Sequence, residues 1–346
     1  LIARSVTQNA GDHCEHYITR DKKEYWAMFY SAAGGGVLIA LMALFKTYLG
    51  SIIDDKVWKG LAEGLNYGFG FMVIFMLHFT VATKQPAMTA ARFAEAVEKN
   101  PQGKTLNMKL AQLLVDVFRS QSVAVLGNVV VAMGLAALIA FVYQHQTGEP
   151  LMNSEKIAYQ LHRIDPLDGS LWFAAIAGVW LFCSGIISGY FDNRSNYLNM
   201  RMRLAQHPLL KKLMSEKSRV KFANYMHENY GSLIGNFCFG MLLGLTGLVG
   251  YLTHLPLDIR HVAFSSANLG YSAVSGQFAY PFFLQCIGFV LLIGLVNLMV
   301  SFSLTLWVAL RSLNTEIDSW WAIWHEVYQI VRKRPLSLFF PVQLDK

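Results

Sequence analysis

Six runs of this chain are apolar over a length that crosses a bilayer: about 25–49, 61–82, 121–143, 170–191, 231–253 and 281–309. A helix needs about 20 such residues to span the hydrocarbon layer. Nothing but a helix or a closed barrel satisfies its own backbone there. The runs therefore predict an all-α, polytopic membrane helix bundle, with its spans arranged as three hairpins. Charge content agrees, since 15% of the residues are charged against about 25% in soluble domains. The membrane domain covers 25–312, between a polar N-terminal segment, 1–24, and a C-terminal interfacial helix and tail, 313–346.

The loops fix an orientation. The connections 84–120 and 192–230 are long, helical in pattern and basic. The second holds Arg194, Arg201, Arg203, Lys211, Lys212, Lys217, Arg219 and Lys221, against three acidic residues. The opposite side carries only Lys56, Lys59, Lys156, Arg163 and Arg260. Lys and Arg accumulate on the cytoplasmic side of membrane proteins, so both termini are expected in the cytoplasm. The net charge of +7 then follows from topology. It predicts anionic lipid, or a protein partner, in preference to nucleic acid. The tail predicts an interfacial helix with Ile317, Trp320, Trp321, Trp324, Val327 and Val331 on one face and Arg332, Lys333 and Arg334 near its end.

Glycines mark close helix packing. Gly64 and Gly68 form a G-x-x-x-G pair, and the fifth run carries Gly235, Gly240, Gly244, Gly247 and Gly250. Small residues let backbones approach in lipid, where apolar burial no longer drives association. A faint repeat relates Gly127-Asn128 to Gly235-Asn236, with Met133 and Tyr143 matching Met241 and Tyr251 at the same spacing. It suggests hairpins of parallel topology.

His78, Asn128, Asn236 and Asn297 are polar residues inside the runs. An unpaired amide in hydrocarbon costs several kcal/mol in rough terms, so these should face the bundle interior. They serve as interhelical glue, or line a substrate path. The periplasmic segment 256–280 is unusual. Asp258, Arg260, His261, Ser265, Ser266 and Asn268 sit in a stretch too apolar for a solvated loop and too short to span. A buried half-helix lining a recess open to the periplasm is the expectation.

No phosphate loop, no G-x-S-x-G elbow, no H-E-x-x-H and no paired Cys-x-x-Cys occurs. His13-Cys14-Glu15-His16 lacks a second ligand pair nearby, so no metal and no cofactor is expected. No catalytic residue is assigned.

Three stretches carry a family resemblance: Ala82 to Met88, Ser188 to Arg194, and Leu255 to Tyr271. With them the chain resembles a bacterial membrane family called site-specific recombinase. That resemblance implies DNA recombination, in a longer protein with a soluble N-terminal region. The residues themselves give a different reading. No His-x-x-Arg occurs, and Arg260 directly precedes His261 on the side expected to face the periplasm. Transport or envelope assembly in the bacterial inner membrane is the leading expectation, ahead of recombination and of a scaffold for a partner protein.

Overall fold

The structure is a computed structural model that describes residue 19, residues 21–82, residue 97, residues 104–312, residue 317 and residues 319–341. Eleven α-helices lie among the described residues. They are α1 (Lys22–Ile52), α2 (Lys56–Met76), α3 (Lys104–Thr147), α4 (Ser154–Ile164), α5 (Ser170–Tyr197), α6 (Met200–Gln206), α7 (Pro208–Leu213), α8 (Glu216–Thr253), α9 (Val262–Ser275), α10 (Tyr280–Ser312) and α11 (Trp320–Lys333). The His13–His16 cluster, and nearly all of the surface helix expected between 84 and 103, lie outside the described residues.

Local chemistry sets the helix starts. Asp21 accepts the Glu24 amide at 2.7 Å before α1, and Asp55 accepts the Val57 and Trp58 amides before α2. Asn153 and Ser215 do the same for α4 and α8. Each supplies an acceptor to donors the helix itself leaves open.

Five helices, α1, α3, α5, α8 and α10, are long and apolar enough to cross a membrane. The second expected span is the exception. Its helix α2 ends at Met76, short of Ala82, and its first two turns carry Lys56, Lys59 and Glu63. His78 then takes a left-handed backbone (φ 58°) with its side chain exposed. It therefore closes the helix and does not sit within it. Two helices are longer than expected. The third span and the helical stretch before it are continuous in α3, 44 residues and about 66 Å long at 1.5 Å per residue. The fifth span likewise continues the end of the basic loop as α8.

The contacts give the helix directions. Lys46 of α1 pairs with Glu63 of α2, and Asn66 of α2 donates to the Met42 carbonyl, so α1 and α2 are antiparallel. Along α2 and α8, Gly60 faces Leu248, Gly64 faces Gly244 and Gly68 faces Gly240, again antiparallel. A Cβ on Gly244 would overlap the Gly64 backbone, so this close approach requires glycine, as the sequence pattern predicts. Ser188 of α5 donates to the Gly231 carbonyl and Trp180 donates to Thr246, which runs α5 against α8. α3 runs parallel to α1, since Gly127 meets Ala32 while Gly36 meets Val131, and α10 runs parallel to α5, since Asn297 bonds Ala174 while Gly178 meets Val300.

Two three-helix units result. α1, α2 and α3 run up, down, up; α5, α8 and α10 run down, up, down. The units meet along α2 and α8. The parallel repeat expected from sequence is therefore replaced by an inverted one, and Asn128 corresponds to Asn297, not to Asn236. The glycine seam shows the relation. Gly64 touches Gly244, 180 residues on, and the Gly60–Leu248 contact returns as Gly240 against Gly68 under the same shift.

The outer face of the bundle is apolar, with Phe69, Leu138, Phe141, Met299 and Trp307 exposed. Such a surface suits lipid and would be a liability in water. α11 packs Ile323, Val327 and Ile330 onto Leu110, Leu306 and Ala309 of α3 and α10. Of the face expected at the interface, Val327 turns inward, while Trp321 and Trp324 stay outward.

Candidate functional site

Over residues 77–82, after α2, and again between α8 and α9, the backbone leaves helical geometry while still inside the bundle. Each break is held by an asparagine. Asn128 of α3 accepts the Ala82 amide at 2.6 Å and donates through Nδ2 to the carbonyls of Thr80 and Ala32. Asn297 of α10 accepts the Val262 amide at 3.1 Å and donates through Nδ2 to the carbonyls of Arg260 and Ala174. Both asparagines are fully buried. Each uses its side-chain amide as a substitute peptide group, which irregular backbone away from water requires.

The two clasps match residue by residue. Arg260 and Val262 follow Thr80 and Ala82 by 180 positions, and Gly36 and Gly178 each lie four residues beyond the carbonyl that is held. The two-fold relation seen at the glycine seam therefore extends to the bonding of the breaks.

The second break carries the charge. Asp258 Oδ2 lies 2.6 Å from Arg260 Nη1 and 3.2 Å from Arg163 Nη1, so one carboxylate serves two guanidiniums. Arg260 also donates from Nε to the Arg163 carbonyl and lies over the Phe173 ring. Arg163 bonds Tyr159 and the Ile259 carbonyl. Lys46, 3.0 Å from Glu63, lies over the Tyr67 ring, within electrostatic reach of Arg163. Burial works against the charge on Asp258, but Arg163 and Arg260 outweigh it and hold the carboxyl down at about 2. His261 is surrounded by Phe71, Phe239 and Phe264 at the end of the break, and burial pushes it down to about 4.

Helix α9 follows, and it is buried over most of its length against α3, α1 and α10. Tyr271 reaches the Ala40 carbonyl of α1 at 2.9 Å. Ser265 and Ser266 are buried, with Ser266 donating to the Ala263 carbonyl, and Asn268 is half-buried. The residues expected to line a recess thus divide by role. Asp258, Arg260 and His261 make the charged break, while Ser265, Ser266 and Asn268 belong to the helix packed beneath it. Asn236 donates to the Ser232 carbonyl of its own helix. In the basic loop Arg201 pairs with Glu228 at 3.3 Å, Arg219 is half-buried, and Arg194, Arg203, Lys211, Lys212, Lys217 and Lys221 are exposed.

Lys46, Glu63 and Arg163 are absent from the sequence-derived site. Lys46 and Glu63 did leave a signal: a lone lysine in the first apolar run and a lone glutamate in the second, where a charge is costly unless it is paired.

Residues 1–341 match the family described as site-specific recombinase. The chain belongs to that family. Nothing among curated proteins and nothing among solved structures matches it. Within this family member, then, the site rests on its own geometry: two related breaks, one of them ionic, on either side of a glycine seam.

Proposed function

We propose that this member of the recombinase-labelled family is a multi-pass protein of the bacterial inner membrane that moves a small solute between its two inverted units. The observation that carries the reading is the inverted repeat, with broken backbone at equivalent places in both halves. Units that are equivalent but oppositely oriented have two related arrangements, and irregular backbone at membrane depth is the usual place for a solute site. In this reading α2 is the sixth crossing, because it lies antiparallel between α1 and α8, and both termini are cytoplasmic.

DNA recombination, the activity in the family's label, fits the described residues poorly. Arg260 is buried over the Phe173 ring and His261 among Phe71, Phe239 and Phe264, where a DNA duplex does not reach. The basic loop presents Tyr197, Leu209 and Leu213 beside its exposed lysines and arginines. That mixture suits the surface of an anionic bilayer.

Distances between spin labels in lipid test the reading. One pair joins Trp58 to Leu252 at one end of the α2–α8 seam, and a second joins Met76 to Val220 toward the other. Each pair is expected to give two populations, and conditions that lengthen one distance should shorten the other. A single unchanging distance for both pairs, across ions, pH and lipids, contradicts transport and favours a rigid scaffold or assembly factor.

A further inference from the structure

We infer that the ionic cluster at the second break is a binding site for a small oxyanion. The inference rests on the transport reading only in calling that anion the solute; the site stands or falls on binding alone.

Arg163 and Arg260 share a single carboxylate, Asp258, while the nearby Lys46 is paired with Glu63. One positive charge is therefore in excess. Asp258 is divided between both guanidiniums, so neither has a carboxylate of its own. Arg260 uses Nε and Nη1 for its bonds to Arg163, Asp258 and Ile259. The Lys46 ammonium, with three donors, has the Glu63 carboxylate and the face of Tyr67. Donor capacity remains where positive charge is in surplus.

Access is also present. The side chains of Asp258 and Lys46 keep 29% and 28% of their surface, while Arg260 keeps 8%. The cluster is deep enough for its charge to be weakly screened, yet its carboxylate rim is open. Placing an unbalanced cation away from water is costly, and an oxyanion that accepts from planar guanidinium donors removes that cost. The shared chemistry is that of a phosphate or a carboxylate, and it can come from free solute or from a lipid headgroup.

The test is equilibrium binding of labelled inorganic phosphate to the purified full chain at constant ionic strength. Saturable binding near one per chain is expected. Arg260→Gln should weaken it at least tenfold. Asp258→Asn should tighten it severalfold, because removing the resident carboxylate raises the surplus charge. A purely structural cluster predicts no gain in Asp258→Asn, which guards against loss of folding in Arg260→Gln. Should Asp258→Asn melt early, phosphate should restore its midpoint more than it raises that of the parent. In nanodiscs, competition by phosphatidylglycerol but not phosphatidylcholine would give the same site to a lipid phosphate. No saturable binding, or equal binding in all three chains, overturns the inference. The spin-label distances need no anion, so failure here leaves them to judge transport separately.

Discussion

Asn297→Leu should lower the thermal midpoint of the purified protein by more than about 10 °C and sharply reduce the monodisperse fraction. The substitution keeps the volume but removes both the acceptor for the Val262 amide and the donor for the Arg260 and Ala174 carbonyls. Ala174 lies in α5, where the helix ladder also serves its carbonyl. The other two groups belong to the break and lose their partner in a fully buried place. At about 1–3 kcal/mol for each such group the cost is about 2–6 kcal/mol, a large part of a typical fold's stability of about 5–15 kcal/mol. Asn128→Leu should cost a similar amount, because its bonds are the same in kind. Asn229→Ala, which loses only a bond to Tyr225 one turn back in its own helix, should stay within about 2 °C. If Asn297→Leu melts like the parent, the clasp is not what holds the break.

The second large effect is on acid stability. His261 takes up a proton near its ordinary value of about 6.5 when unfolded, but only near 4 when folded. Below about 6.5 the unfolded chain therefore binds more protons, and folding loses stability steadily until pH 4, where the effect levels off. The difference amounts to roughly 3 kcal/mol at 1.36 kcal/mol per pH unit. Asp258 acts lower. Its stabilisation is complete above the unfolded carboxyl value near 4 and is lost as the pH falls through about 2. Thermal midpoints measured from pH 7 to pH 4 should fall in the parent and stay nearly level, after the shared baseline is subtracted, in His261→Gln. Parallel curves would show that the ring is protonated in the fold without penalty.

The sequence reveals the helices but not their pairing. Apolar runs report length and burial, so α1, α5 and α10 emerge near their true limits. Continuity is hidden, because the charged start of α3 looks like a surface helix until the structure joins it to the span. The break after α2 is hidden for another reason. Residues 77–82 are as apolar as a span, and only the left-handed His78 and the bonds from Asn128 show that their backbone is not helical. The inverted repeat leaves almost no trace in residue identity. It preserves small residues, one asparagine per unit and a bonding pattern, while the matched breaks read Thr-Val-Ala and Arg-His-Val. A search for similar letters instead finds Asn128 and Asn236, which share a neighbour but not a role. The ionic break was legible in Asp258, Arg260 and His261. Their partner Arg163 was not, since it lies far away in sequence and meets the break only through the packing of α4.

The central claim is that the two units cross the membrane in opposite directions, so α1 and α5 must begin on opposite sides. Single cysteines at Lys22 and Leu167, both exposed at those starts, decide it by labelling with an impermeant thiol reagent in intact spheroplasts and in opened membranes. The account predicts that Leu167→Cys reacts in intact spheroplasts and Lys22→Cys only after the membrane is opened. Labelling of both positions from the same side would contradict it.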